Sequence, residues 1–248
     1  MKKTYTVPVL TSIILLVGWQ IFAVTVSNDF LVPYPLAVLQ RMLENIQDPK
    51  FYITIGNSLL RMMKGYTLSL VVACVLGFTA ASNELIRRIL HPLDVIVKTI
   101  PNLSYIMVFL ILLGSEGSVM VTSFCVLFPV LYSAVLLSQD MLVESLKKIL
   151  ICYPENHFTV LFKVRIPQAI PYILEAMKTG FGLGLRVCIM AEILTQVKIG
   201  IGRQMSYDAR VALDMTGLFA WTVWIILISQ AGHFILDECG KIIERTVL

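Results

Sequence analysis

Apolar residues run along this chain in long blocks separated by short polar segments. A helix that crosses a bilayer needs about 20 mostly apolar residues. Six blocks meet or approach that length: Val7–Val26, Gly65–Ala81, Asn102–Leu113, Ser118–Ser138, about Pro171–Val197, and Leu218–Leu236. The first resembles a secretory signal in its Met1-Lys2-Lys3 start. Its apolar run is longer than a usual signal core and no A-x-A site follows, so it reads as an uncleaved span. The second has room to start earlier, because Ile53–Met63 is already helix-like. The third is short and begins after Pro101. Between the first two spans, Pro33 and Pro35 mark a turn. Leu36–Gln47 then places Leu36, Val38, Leu39, Met42 and Leu43 mostly on one helix face, as in a helix lying along the outer membrane surface.

Composition supports this reading. Apolar residues make up 57% of the 248 residues and charged residues only 15%. A soluble domain is nearer half apolar and about one-quarter charged. The balance argues against a disordered chain, a nucleic-acid-binding domain and a disulfide scaffold. The five cysteines, Cys74, Cys125, Cys152, Cys188 and Cys239, form no CxxC or Cys/His cluster and read as reduced or buried thiols. His91, His157 and His233 are too scattered to suggest a metal site. With the N-terminus inside, 11 Lys and Arg fall in cytoplasmic segments and 7, including Arg41, Arg61 and Lys64, in outer ones. Positive charge prefers the cytoplasmic side. The expected architecture is an all-α membrane protein with six transmembrane helices, both termini inside, forming a single transmembrane domain over residues 1–248. No P-loop occurs, so no ATPase motif lies in this chain.

The longest cytoplasmic connection, about 139–168, joins spans four and five. It contains two helix-like pieces, Met141–Cys152 and about Asn156–Val164, with Pro154 at the break. Leu142, Leu146, Ile149 and Leu150 sit at helical spacing beside Lys147 and Lys148. That apolar face packs either on the chain's own span ends or into a partner protein.

The stretches KVRIPQAIPYILEAMKTG and AEILTQVKIGIGRQM resemble the membrane permease of binding-protein-dependent ABC importers, closest to the nitrate/sulfonate/taurine type. So do LVPYPLAVLQRM, NSLLRMMKGYTLSLVVACVLGF, RRILHPLDVIVKTIPNLSYI and LDECGKIIERTVL, so that the likeness covers nearly the whole chain. In that family the cytoplasmic loop carries the motif E-A-A-x3-G-x9-I-x-L-P. Set on Pro167, the motif puts Val164 and Ile166 at its apolar positions. Its Glu-Ala-Ala falls on Lys148, Ile149 and Leu150, and its glycine on Pro154. Proline makes a bend but cannot supply the positive φ that glycine allows, so the local geometry differs from the family pattern.

The resemblance implies a loop that couples the pore to ATPase subunits through Leu150, Tyr153, Pro154, Glu155, Asn156, Val164, Ile166 and Pro167. It implies two permeases in a pore, usually as a homodimer, two ATPase subunits that bind the ATP, an extracytoplasmic solute-binding protein, and a bacterial inner-membrane location. No cofactor is expected in this chain and no nucleic acid among its partners. The solute would be a small molecule such as nitrate, a sulfonate, taurine or a vitamin precursor.

Ionisable residues inside spans are costly and usually face protein or water. Glu175 and Lys178 are three apart and suit a local ion pair. Gly180 and Gly184 form a GxxxG spacing for a span–span or subunit contact. Arg186 either partners a carboxylate such as Glu192 or lines the path of an anionic solute. Glu192 matches the AE of the family and is a candidate for the translocation path with Asn102, Ser104 and Arg186; its alternative role is to anchor the outer end of span five to the Gly200-Ile201-Gly202 turn. Asn102 and Ser104 interrupt span three, as path residues or as a helix cap. His233 suits an interhelical hydrogen bond. Two rival classes stay open. A self-sufficient carrier or channel would need its own selectivity element or repeats, and an intramembrane enzyme would need convergent Ser/His or carboxylate groups.

Overall fold

The computed structural model of the chain describes residues 3–28, 30–141 and 156–247. Every regular element among them is helical. In order they are α1 (Lys3–Val26), α2 (Pro35–Gln47), α3 (Pro49–Ser82), α4 (Glu84–Thr99), α5 (Asn102–Asp140), α6 (His157–Val160), a π turn (Leu161–Arg165), α7 (Ile166–Thr195), α8 (Ile201–Tyr207), a second π turn (Asp208–Ala212) and α9 (Met215–Val247). Among the described residues α3, α5 and α9 are long and apolar enough to cross a membrane, and Leu10–Val26 is a shorter apolar helix.

The chain divides into two compact units. One comprises Met1–Asn57 and Lys198–Leu227. There Val38 and Met42, on the buried face of α2, pack on Ala220. Trp19 stacks on Phe219 at 5.7 Å, and Phe51 lies 5.4 Å from Trp221 and 4.9 Å from Trp224. Only part of the apolar face expected of α2 is covered, since Leu36, Leu39 and Leu43 are exposed. Arg41 bridges Glu44 and Asp214, both at 3.1 Å. Near them Asp208 is almost fully buried, and burial pushes its carboxyl above the ordinary range.

The second unit comprises Ser58–Val197 and Ile228–Leu248. Its centre is built from small residues that let helices approach closely. Ala73 and Ala80 of α3, Leu131 and Tyr132 of α5 and Ala176 of α7 form one buried cluster. A Cβ on Gly65 would stand 2.5 Å from the Met120 carbonyl oxygen, and one on Gly77 would stand 2.7 Å from Val135. Such contacts replace the hydrophobic drive that lipid cannot provide between helices. Polar side chains reinforce them. Tyr66 Oη donates to Met177 O at 2.7 Å, and Ser69 Oγ donates to Phe124 O at 3.0 Å.

Two junctions take definite form here. Arg61 and Lys64, counted with an outer segment, belong to α3, which begins at Pro49, in keeping with the expectation that this helix starts before Gly65. Proline suits a first helical position, and the preceding Asp48 accepts from the Lys50 N–H at 2.9 Å. The apolar blocks 102–113 and 118–138 are parted at Gly114, where the sequence division places the break, with φ 72° and ψ −177°. That backbone region is essentially restricted to glycine. Ser118 Oγ donates to Ile106 O at 3.1 Å. On a straight helix those residues would stand about 18 Å apart. The chain therefore doubles back at Gly114, and arms 102–113 and 115–140 lie side by side. The shorter arm rises about 18 Å, well under the ~30 Å hydrocarbon core.

Two glycine substitutions separate strain from crowding. Gly114→Ala meets no neighbour within 4 Å, so its cost is the backbone alone, about 1–3 kcal/mol. Gly65→Ala crowds Met120 and Ser123 and costs about 1–3 kcal/mol by overpacking. Gly18→Ala meets open space and leaves stability unchanged or slightly raised. Thermal melting of the detergent-purified chain is the check, and equal melting of all three variants would contradict the packing described.

Candidate functional site

The loop reading falls partly outside the described residues: Leu150, Tyr153, Pro154 and Glu155 lie in 142–155. From Asn156 onward the geometry is clear. Asn156 O accepts from the Val160 N–H at 3.0 Å, and its Oδ1 accepts from the Phe158 N–H at 3.3 Å. This starts α6, which runs through the π turn into α7 at Ile166, with Pro167 in the first turn of α7. Val164, Ile166 and Pro167 are half-buried. Phe158 and Phe162 are largely exposed.

This segment is tied to the C-terminal ends of two other helices. Arg165 Nη1 donates to Ser82 Oγ of α3 at 2.5 Å. Gln139 Nε2, near the end of α5, donates to Arg165 O at 3.2 Å, and Gln168 Nε2 donates to Ser138 O at 3.3 Å. Arg87 of α4 grips Asp140 through two bonds of 2.9 and 2.7 Å. A cavity of about 420 Å³ opens beside them, lined by Phe78, Ile86, Phe158, Val160 and Leu161 among others. Residues 156–168 are thus hydrogen-bonded to α3 and α5 and continuous with α7.

The second candidate is a network of charges among the same three helices. Glu192 of α7 is completely buried. Ser58 Oγ donates to both of its oxygens, at 2.8 and 2.9 Å, and Arg61 Nη1 donates to Oε1 at 2.8 Å. The other side of the Arg61 guanidinium holds Glu116, through Nε to Oε2 and through Nη2 to Oε1 at 2.9 Å. Next to Glu116, Ser115 Oγ donates to the Thr195 carbonyl at 2.8 Å. Cys188 Sγ contacts Ser58 O at 3.5 Å. A buried carboxylate needs such a set, because an unpaired charge in a dry site is very costly.

The predicted path residues separate. Glu192 joins the network above, with Arg61 of α3 as its cation rather than Arg186. Arg186 is exposed, in a stretch of α7 where Gly184, Leu185, Val187, Cys188 and Ile189 are buried. Asn102 is half-buried and Ser104 exposed at the start of α5, where Pro101 is the cap and accepts from the Ser104 N–H at 2.9 Å. The Glu175–Lys178 ion pair is present at 2.7 Å, and Lys178 also reaches Asp237 at 2.5 Å. The GxxxG face serves span–span packing: Gly180 and Gly184 both face Leu127, and Gly184 also faces Met62. His233 lies against Gly182. Sequence reasoning missed Arg61, Glu116 and Ser58. The available signal was a charged pair of unlike sign in otherwise apolar surroundings, Arg61 at the head of one span and Glu116 at the turn before another.

No protein-family model matches the chain. Individual proteins do. It is 23% identical over 233 residues to a probable ABC transporter permease of Brucella melitensis, covering 92% of this chain and 90% of that one. It is 26% identical over 208 residues to a nitrate import permease of Synechocystis, covering 79% and 74%. It is 24% identical over 257 aligned positions to a formylaminopyrimidine transport permease of Halalkalibacterium halodurans, covering 98% and 97%. Among solved structures it shares its fold with a chain of the MetNI methionine ABC transporter in an inward-facing conformation, with a TM-score of 0.68 and 13% identity over 80% of this chain and 96% of that one.

The network has unequal halves, which mutation can resolve. Arg61→Met leaves Glu192 buried without its cation, a loss of about 3–5 kcal/mol. The Glu116 side chain is 56% exposed, so Glu116→Gln costs at most about 1 kcal/mol. Replacing Arg61 and Glu192 together by methionine recovers much of the first loss. Melting curves in detergent read all three, and the assignment fails if the two single variants melt alike.

Proposed function

We propose that this chain, a homologue of ABC transporter permeases and a transport component rather than an enzyme, carries a small solute inward through a pore that it forms with a second copy of itself. It is a multi-pass membrane protein of importer type, as its relatives are. In the proposed arrangement six spans put both termini in the cytoplasm of a bacterial cell, and the protein sits in the inner membrane. Separate ATPase subunits bind the nucleotide and dock on the loop 139–168. An extracytoplasmic binding protein delivers the solute. This chain needs no cofactor of its own.

The observation that carries the proposal is the linkage of residues 156–168 to Ser82, Ser138 and Gln139. A loop that closes with an ATPase dimer would move three helix ends as one body. Pro167 and Pro171 stiffen the junction, since proline is tolerated there and fixes φ. The exposed aromatic rings of Phe158 and Phe162 supply apolar area for a docking partner to cover.

Arg186 supports an anionic cargo. An exposed cation on an apolar helix calls for water or an anion beside it. The relatives transport nitrate, taurine, bicarbonate and a formylaminopyrimidine. Asn102, Ser104 and Arg186 are the residues proposed for the path. Glu192, also expected there, is proposed instead for a supporting role, since Ser58 and Arg61 take up its oxygens.

The test is a pull-down of the tagged chain expressed with its neighbouring genes in mild detergent. An ATPase is expected to come down, and Tyr153→Asp or Phe162→Asp to release it. In vesicles, Arg186→Gln is expected to slow uptake of an anionic solute about tenfold, equal to ~1.4 kcal/mol, with the ATPase still bound. A chain that purifies without any ATPase and still moves solute would favour a self-sufficient carrier.

A further inference from the structure

We infer that the contact between Arg61 and Glu116 is a releasable latch at the end of the second unit opposite the loop, and that its opening frees the tip of the α5 hairpin during transport. The inference rests on the permease reading above. It deepens that reading by assigning positioning roles to Arg61, Glu116 and Ser58.

Three helices are fastened at two ends. Ser82, Gln139 and Arg165 fasten α3, α5 and α7 at the end next to the loop. Arg61, Glu116 and Glu192 fasten the same three helices at the other end. Arg61 precedes Ser82 by 21 residues and Glu116 precedes Asp140 by 24. Those spacings correspond to about 32 and 36 Å of helix. The two fastenings are therefore about one hydrocarbon thickness apart. Between them lie the close contacts of Gly65, Gly77, Gly180 and Gly184.

The charges are unequally housed. Glu192 has no exposure, and its oxygens are held by Ser58 as well as by Arg61. Parting it from Arg61 would strand a buried anion. The Glu116 side chain is 56% exposed, so water receives its charge when it leaves. The break therefore falls between Arg61 and Glu116, and Arg61 stays with Glu192. Glu116 follows the Gly114 bend by two residues, so its departure carries the tip with it. The hydrogen bond from Ser115 to the Thr195 carbonyl, 2.8 Å long, must open at the same time.

The experiment uses the complete transporter in vesicles, with the native cysteines replaced and Ser115→Cys combined with Thr195→Cys. The reduced form is expected to take up solute like the parent. Bridging the two thiols by oxidation or a short bis-maleimide is expected to abolish uptake, and reduction of the disulfide to restore it. Uptake by the bridged form at the parental rate overturns the latch. Should the double variant fail to assemble, Glu116→Gln decides. It is expected to raise ATP hydrolysed per solute moved by about fivefold or more, with Glu116→Asp restoring the ratio. A parallel fall in hydrolysis and uptake, ratio unchanged, marks a merely structural contact and overturns the proposal. Absence of ATP-driven uptake by the parent itself would instead sink the permease reading.

Discussion

A carboxylate without access to solvent, Glu192, obliges its surroundings to bring it a cation. Arg61 meets that demand from a helix more than 130 residues earlier in the chain, and Ser58 adds a hydroxyl one turn away. Meeting it fixes the rotation of α3 about its own axis, because Ser58 and Arg61 must both face α7. With α3 so turned, Met62, Gly65 and Tyr66 meet α5 and α7. The buried cluster of the unit, around Ala73 and Ala80, continues along α3. The packing between helices that share an apolar solvent is thus set by one electrostatic requirement and completed by small residues.

The same requirement explains why the network is asymmetric. A guanidinium has five donors in a plane and can serve two carboxylates at once. One of them is sealed inside, where the pair is held by the penalty for separation. The other stands partly in water, where attraction is screened and separation is cheap. One side chain thereby joins a permanent contact to a reversible one. The linkage at the loop end is of a different character: it mixes neutral side chain to backbone bonds of Gln139 and Gln168 with the Arg165–Ser82 bond and the half-exposed Arg87–Asp140 pair.

Much of the helical layout was legible in the sequence, because a spanning helix announces itself by composition alone. The Pro167 start of α7, the amphipathic α2 and the small-residue face at Gly180 and Gly184 could also be read locally. What could not be read was anything depending on which residues meet across the fold. Arg61 looked like the end of an apolar block, since a charge lowers local hydropathy whether it faces water or a buried partner. Glu116 looked like a loop residue for the same reason. Glu192 stood out as anomalous, yet pattern reasoning offered it Arg186, the nearest cation in sequence, which six residues along a helix turn toward another side. The break between the blocks 102–113 and 118–138 was read from the sequence, but not that Gly114 alone completes the reversal, which only its φ marks.

That bend bears on how the protein enters the membrane in the first place. The arm 102–113 rises only about 18 Å as a helix, too little to span a bilayer by itself. No flexible connector separates it from the arm 115–140, because the reversal is completed within one residue. In the proposed six-span arrangement the shorter arm would therefore enter lipid as half of a hairpin whose longer arm supplies the apolar length, with residues 102–140 as one unit of integration.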